Sequence, residues 1–171
     1  MNALEITGVE QIVLGWFLIF HGLIHLIFLI YSYDEKTKVY TGWNRRSWLL
    51  DKIIPPPLPS YIGIITWILI MILFVGSGLG VLDLVPINEY LPPLIILSST
   101  LATIAFIIFY NGLAPTPFHW ILGVIIDVTL IVYVIVFPQN GLLVVILLLL
   151  ITGYGMLFHS KIFAKLTPSQ A

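Results

Sequence analysis

The sequence of 171 residues contains no cysteine. This absence excludes disulfide bonds, thiolate metal sites, Cys-ligated iron–sulfur clusters and c-type haem attachment. Charged residues are also scarce, at 9% of the chain against about 25% in soluble domains, whereas 60% of the residues are hydrophobic. Because a soluble protein of this composition would lack the polar side chains that cover a surface, an integral membrane protein is predicted.

Catalytic motifs are missing as well. The chain has no Walker or dinucleotide-binding glycine motif, no nucleophile elbow and no HExxH pattern. No complete catalytic constellation is recognised, so the sequence favours a protein that is not an enzyme. The net charge of −1 gives no indication of nucleic-acid binding, and no nucleic-acid partner is predicted.

Five apolar runs dominate the chain, and each is close to the roughly 20 residues that cross the hydrocarbon core of a bilayer. Backbone groups in lipid must be hydrogen-bonded within their own segment, so each run is predicted to be a helix. We therefore predict an all-α integral membrane protein, a five-helix transmembrane bundle with one interfacial cytoplasmic loop, formed by residues 1–171 as a single domain. The predicted spans are about 9–32, 61–82, 91–111, 117–137 and 140–163, with the cytoplasmic loop at 33–60.

The distribution of basic residues predicts the orientation of these spans. The segment before the first span has no Lys or Arg, so that span is interpreted as retained rather than as a secretory signal. With five spans, all seven basic residues fall on one side, and the positive-inside rule predicts a multi-pass protein of the cell membrane, N-terminus outside and C-terminus cytoplasmic. These residues are Lys36, Lys38, Arg45, Arg46 and Lys52 in the first loop, and Lys161 and Lys165 at the end of the fifth span.

The first loop combines tryptophans with arginines over 41–54. Trp43 and Trp48 flank Arg45 and Arg46, a pattern that predicts a short helix lying at the cytoplasmic interface. It would anchor the chain among lipid headgroups. Alternatively, these four residues form a docking patch or lid, in which the arginines bind a carboxylate, a phosphate or an anionic lipid.

Polar residues inside the predicted spans are the candidate site residues. His21 and His25 are four residues apart near the middle of the first span, and Asp127 lies at a similar depth in the fourth. A charged group at that depth costs several kcal/mol and usually faces a partner in the bundle interior. We therefore expect His21 and Asp127 to contact each other if their helices touch.

A second polar group is predicted nearer the cytoplasmic face, and His25 is expected to point toward it. It consists of His119, His159, Tyr110, Asn111 and Tyr154.

Four kinds of chemistry fit these residues. One is a buried hydrogen-bond network that only fixes helix packing. The second is a b-type haem held by His25 with His119 or His159. The third is a metal ion bound by His21, His25 and Asp127, which are the ligand types of a two-His-one-carboxylate centre. The fourth is a proton or quinone pathway.

The segment His21-Gly22-Leu23-Ile24-His25-Leu26 resembles the HGxxHL motif in the first span of a set of small prokaryotic multi-span membrane proteins. The segment 123–127, which ends in Asp127, is similar to them as well. The resemblance implies a small polytopic membrane protein and no particular activity.

Little of the chain extends beyond the predicted spans, so the leading functional hypothesis is a non-catalytic accessory subunit of a larger membrane complex of the oxidase or monooxygenase type. Its partners would be the lipid bilayer and other membrane-protein subunits. The alternatives are a protein with its own His/Asp site, which binds haem b, a metal ion or quinone or relays protons, and a small transporter. The sequence shows neither the internal repeat nor the paired broken helices of many transporters.

Overall fold

A computed structural model describes residues 8–35, 39–113, 117–138 and 140–166. The described residues form five α-helices, so the predicted helical fold is confirmed, and four of the helices begin and end within three residues of the predicted spans. The helices are α1 Val9–Ile24, α2 Leu58–Val81, α3 Leu91–Phe109, α4 Pro117–Val136 and α5 Gly141–Leu166.

Three stretches of the described chain are long and apolar enough to cross a membrane. They are Val9–Leu29, Leu58–Val81 and Asn88–Gly112. The fourth and fifth helices contribute shorter apolar stretches, Trp120–Val136 and Gly141–Gly155. Proline stands in the first turn of α2 and of α3, where its missing N–H leaves no hydrogen bond unmade.

The first helix ends earlier than predicted. After α1 the chain tightens into a 3-10 helix at His25–Leu29 and then turns into a two-stranded antiparallel sheet, β1 Tyr31–Asp34 and β2 Val39–Gly42. The prediction that the first span continues to residue 32 is therefore wrong. Gly42 has a φ of +84° and pairs with Tyr31 at the open end of the hairpin. A Cβ at this position would overlap the backbone carbonyl of Ile30, so only glycine fits here.

The predicted interfacial helix over 41–54 is also wrong. The described helical structure in this segment is a single 3-10 turn at Leu50–Lys52. The rest of the segment bonds to the C-terminal end of α3, whose last carbonyl groups have no partner within the helix. The side chain of Ser47 donates to the carbonyl of Ile108 at 2.9 Å, and the indole of Trp48 donates to that of Ile107 at 2.7 Å.

Trp43 has a structural role that the sequence did not reveal. Its side chain is 1% exposed and packs edge-to-face on Phe109, so it is neither a headgroup anchor nor part of an exposed docking surface. The indole occupies the space beside Gly63, where any Cβ would overlap it. Its N–H donates to the carbonyl of Arg46 at 2.9 Å, which satisfies the polar end of the ring.

The helices pack in chain order, each on the next, and α5 also contacts α1. Glycines permit the closest approach, between α1 and α2. A Cβ at Gly15 would lie 2.5 Å from Leu82 Cγ, and one at Gly78 would lie 2.6 Å from the backbone oxygen of Gly15. Small residues at such crossings let helix backbones come close together. The middle of α1 is therefore packed tightly against α2 inside the bundle.

Candidate functional site

His21, His25 and Asp127 meet in the interior of the bundle. His21 lies in the last turn of α1, His25 begins the 3-10 helix, and Asp127 lies in the middle of α4. The Nε2 atom of His21 is 3.0 Å from Oδ1 of Asp127. The three residues are 6%, 1% and 0% exposed, respectively. The structure therefore brings together the three residues that the sequence singled out inside the predicted spans.

The ring of His25 is held by its own helix. Its Nδ1–H donates to the backbone carbonyl of His21 at 2.8 Å. In a neutral imidazole this bond places the proton on Nδ1, so Nε2 carries a lone pair and acts as an acceptor. A backbone carbonyl that holds one ring nitrogen is the arrangement that orients metal-binding histidines in many proteins.

Two acceptor atoms of this cluster have no hydrogen-bond partner among the described residues. They are Nε2 of His25 and Oδ2 of Asp127, and both are buried. Leaving a buried polar atom unpaired costs about 1–3 kcal/mol, and more when the group is charged. Both atoms accept rather than donate when Asp127 is ionised, so a cation placed between them would satisfy both.

The spacing of the potential ligand atoms suits a small metal ion. One ligand atom from each of His21, His25 and Asp127 lies within 4.8 Å of the other two. Ligands bound to a tetrahedral ion at about 2.0–2.2 Å lie about 3.4 Å from each other. The 3.0 Å between His21 Nε2 and Asp127 Oδ1 is a hydrogen-bond distance slightly below this value, and the 4.8 Å limit lies above it, so the three side chains would hold an ion after a local rearrangement.

Aromatic rings enclose the cluster. Phe74 on α2 lies 4.8 Å from the His21 ring and 5.7 Å from the His25 ring, measured between centroids. Trp67 and Phe106 lie 6.0 Å and 5.8 Å from His25. These contacts keep the surroundings of the imidazoles apolar, so electrostatic interactions inside the cluster are stronger than in water.

The interior toward the beginning of α1 and the end of α4 is lined by leucines and one tyrosine. Leu14 and Leu18 on α1 and Leu130 on α4 are each 0% exposed. Tyr133 on α4 is also buried, and its hydroxyl has no hydrogen-bond partner among the described residues. A Cβ at Gly141 would lie 2.7 Å from Glu10 Oε2 and 3.6 Å from this hydroxyl, so polar atoms of α1 and α4 come close together at this end of the bundle.

Three members of the second predicted polar group lie at the surface. Tyr110, Asn111 and Tyr154 are exposed, and the amide oxygen of Asn111 accepts the backbone N–H of Trp48 at 2.8 Å. The described neighbours of the His25 ring are aromatic. The side chains of His119 and His159 lie outside the part of the chain that the structure describes, so the orientation of His25 toward this group stays a prediction.

The remaining candidates of the first loop lie at the surface. Arg46 is exposed and forms an ion pair with Asp51 at 3.0 Å, and Arg45 is exposed with a φ of +64°. Trp48 is partly exposed, with the Lys52 ammonium 5.7 Å from its ring centroid. These residues present cations and one aromatic ring at the end of α3, on the surface of the bundle.

Sequence reasoning missed four buried polar groups in the bundle. The indole nitrogen of Trp67 and the hydroxyl oxygens of Ser99, Thr103 and Tyr133 are buried and lack a hydrogen-bond partner in the described chain. Nothing in the local sequence marks these residues, since an aromatic or hydroxyl side chain in an apolar helix usually serves only packing or bonds to its own backbone. The structure identifies them because it shows which polar atoms stay unpaired.

Comparisons of this chain with protein-family models, with curated proteins and with solved structures find no match. The resemblance of the HGxxHL segment to small multi-span membrane proteins therefore stays a prediction. The functional argument rests on the geometry of the cluster formed by His21, His25 and Asp127.

Proposed function

We propose that this protein is a multi-pass membrane protein whose His21–His25–Asp127 cluster binds a divalent first-row transition-metal ion. The observation that carries the proposal is the pair of buried acceptors, His25 Nε2 and Asp127 Oδ2, which lack a partner among the described residues. A metal ion at this point would take up both atoms, and by displacing the proton that His21 Nε2 donates to Asp127 it would also gain the His21 nitrogen as a ligand. It would also neutralise the carboxylate.

A purely structural hydrogen-bond network accounts for less of the geometry. It explains the His21–Asp127 contact and the bond from His25 to the backbone of His21. It does not account for the two further acceptors, which are buried without a partner at a cost of about 1–3 kcal/mol each in folding free energy. A bound cation accounts for these two unpaired acceptors, and it is compatible with the closeness of His21 to Asp127 and with the His25 bond that orients the ring.

The ligand set indicates the class of metal. Imidazole suits Zn²⁺, Fe²⁺, Ni²⁺ and copper, whereas Mg²⁺ and Ca²⁺ take mainly oxygen ligands. Two neutral imidazoles and one carboxylate would leave a divalent ion with one net positive charge. The surrounding aromatic faces are electron-rich and favour a cationic centre.

The proposal includes a membrane placement, in which the five helices cross the bilayer with the N-terminus outside. Every helix exposes large apolar side chains, far more than a soluble monomer tolerates in contiguous patches. Examples from the five helices are Ile12, Ile65, Ile107, Ile135 and Leu150. In a bilayer these side chains would contact lipid, and the bonded backbone of each helix would need no water.

The other hypotheses receive less support. A proton pathway requires a hydrogen-bonded chain out of the cluster, and the buried hydroxyl of Tyr133 on α4 has no partner in the described chain that would continue one. A haem between His21 and His25 does not fit, since their rings contact edge-to-face at 5.0 Å. Haem binding through His119 or His159, an accessory-subunit role and a transport role stay predictions.

Metal binding by the purified protein tests the proposal. Metal-free protein in detergent is titrated with Co²⁺, and ligand-field absorption reports coordination. We expect one bound ion per chain, and a loss of affinity of at least about tenfold in Asp127→Asn and His25→Phe, each of which removes a proposed ligand. His25→Phe retains an aromatic ring among aromatic neighbours, so it provides a second variant if Asp127→Asn does not fold.

Asp83→Asn is the matched control for the carboxylate. Asp83 lies outside the cluster, where it accepts a hydrogen bond from Gln11, and its replacement should leave Co²⁺ affinity unchanged. Absence of stoichiometric Co²⁺ binding in the wild type would overturn the proposal. So would equal affinity in the wild type and in the folded ligand variants.

A further inference from the structure

Four buried N–H or hydroxyl groups on the helices around the proposed metal centre lack a partner within the described residues: Ser99 and Tyr133 carry two of them, and the other two carry this inference. One is the indole N–H of Trp67 on α2, and the other is the hydroxyl of Thr103 on α3. Both atoms are buried and lack a partner within the described residues. The cluster itself has unpaired acceptors, so the interior of the bundle contains both donors and acceptors that do not bond to each other.

Trp67 is held firmly beside His25. It is 0% exposed, its ring centroid lies 6.0 Å from that of His25, and it packs on Phe28 at 4.6 Å and on Phe106 at 5.4 Å. A buried tryptophan normally finds a partner for its N–H, because an apolar side chain would fill the same space at lower cost. Its unused donor therefore points to a ligand of the site.

Thr103 departs from the pattern of other threonines in these helices. The hydroxyls of Thr66, Thr129 and Thr152 each donate at 2.8 Å to the backbone carbonyl four residues earlier. Thr103 makes no such bond with the described chain, although its oxygen is buried. A hydroxyl that could satisfy itself locally and does not is available to donate elsewhere.

Helix packing places Thr103 at the depth of Asp127. Gly123 on α4 lies against the ring of Phe106 on α3, since a Cβ at position 123 would be 2.8 Å from that ring. The connection between α3 and α4 is short, so the two helices run antiparallel. Because the Phe106 ring leans toward the N-terminus of α3, Asp127, one turn after Gly123, is level with the turn of α3 that runs from Ser99 to Thr103.

Three protein ligands leave an open position on a four-coordinate metal ion. We infer that this position takes a small exogenous ligand, diatomic or triatomic, which binds the metal and accepts hydrogen bonds from Trp67 and Thr103. This inference rests on the proposed metal-binding function. The ligand class is that of dioxygen, nitric oxide and azide: small molecules that coordinate a metal, accept hydrogen bonds and enter apolar surroundings in neutral form.

Azide binding to the Co²⁺-loaded protein tests the inference. Sodium azide is titrated into the wild type and the shift of the ligand-field bands gives its Kd. Thr103→Val keeps the shape of the side chain and removes the hydroxyl, and Trp67→Phe removes the indole N–H. We expect each variant to bind azide about tenfold more weakly while its Co²⁺ affinity is unchanged, since one hydrogen bond contributes about 0.5–1.5 kcal/mol.

The chain offers a control for each variant. Thr129→Val removes a hydroxyl that bonds to its own helix, and Trp16→Phe removes an indole from a half-exposed ring. Both controls should leave azide affinity at the wild-type value. If Trp67→Phe does not fold, Thr103→Val carries the test alone.

The failure of this inference differs from the failure of the proposed function. Wild-type protein that binds Co²⁺ but not azide would overturn the inference, and the proposed metal-binding function would still hold. The same holds if azide affinity is equal in the wild type and both variants, or if the variants lose Co²⁺ as well as azide. Protein that binds no Co²⁺ would remove the metal centre and the inference together.

Discussion

The imidazole of His21 and the carboxylate of Asp127 join the first and fourth helices through a 3.0 Å contact between Nε2 and Oδ1. The two residues are 106 positions apart in the sequence, and both are buried among apolar side chains. In such surroundings a hydrogen bond is strong, and either group alone would be a buried polar atom without a partner. The contact therefore holds the His21 imidazole and the Asp127 carboxylate, both proposed metal ligands, next to each other.

A double-mutant cycle measures this contact. Asp127→Leu alone should destabilise the protein because it leaves His21 Nε2 buried without its partner. His21→Phe together with Asp127→Leu replaces both groups by apolar ones, so the double variant should lose less than the sum of the single losses. We expect a coupling of about 0.5–3 kcal/mol in the free energy of unfolding in detergent. Additive losses would contradict the contact.

Metal ions should stabilise the folded protein by mass action. At a free Zn²⁺ concentration about a hundred times its Kd, the free energy of unfolding should rise by about 2.7 kcal/mol, and a chelator should reverse the gain. The unfolding midpoint of metal-free protein, measured with and without Zn²⁺, checks this. Asp127→Asn should show no such gain and Asp83→Asn should keep it. A gain of equal size in Asp127→Asn would place the bound ion elsewhere.

Two glycines of α2 should differ sharply in their tolerance of a methyl group. A Cβ at Gly78 would lie 2.6 Å from the backbone oxygen of Gly15 and 2.7 Å from Ile19 Cγ1, whereas one at Gly76 would meet nothing within 4 Å. Gly78→Ala should cost about 1–3 kcal/mol in the free energy of unfolding because it forces α1 and α2 apart. Gly76→Ala should be neutral or stabilise by up to about 1 kcal/mol. Equal effects would mean that α1 and α2 do not cross at Gly78.

Trp43 should contribute far more to stability than an exposed tryptophan does. Trp43→Ala removes a buried ring and leaves a cavity beside Gly63, which should cost about 3–5 kcal/mol in the free energy of unfolding. Trp16 is 49% exposed, so Trp16→Ala serves as the control and should cost less than about 1 kcal/mol. Thermal unfolding in detergent compares the two. Similar losses would restore the interpretation of Trp43 as a surface anchor.

The proposed orientation can be tested cleanly because the chain has no cysteine of its own. Leu84 lies between α2 and α3 and Ile53 lies in the first loop, and both are well exposed. In intact cells a membrane-impermeant maleimide should label Leu84→Cys, whereas Ile53→Cys should react only after permeabilisation. The reverse pattern would invert the topology, and labelling of both in intact cells would contradict a membrane crossing by α2, which separates the two positions.

The first loop shows where reasoning from the sequence reaches its limit. Its tryptophans and arginines over 41–54 predicted an amphipathic helix, yet the segment bonds to carbonyl groups at the end of α3. Those acceptors lie about 60 residues away along the chain, with Ser47 and Ile108 separated by 61 positions. Local composition reports the chemistry of a segment and not the partners that will compete for its hydrogen bonds.

Sequence alone determined the five helices and their approximate ends. The length of an apolar run and the positions of prolines are local properties, and a backbone in an apolar medium must form its own hydrogen bonds, so each apolar run becomes a helix. It also identified His21, His25 and Asp127 as unusual. Only the tertiary structure decided that they meet, and that Trp43, Trp67 and Thr103 lie inside. Helices that are apolar on every side carry little information about which face meets a neighbour, since lipid and protein are equally apolar partners. The lateral arrangement therefore depends on close fits such as Gly15 against Gly78, which no local pattern reveals.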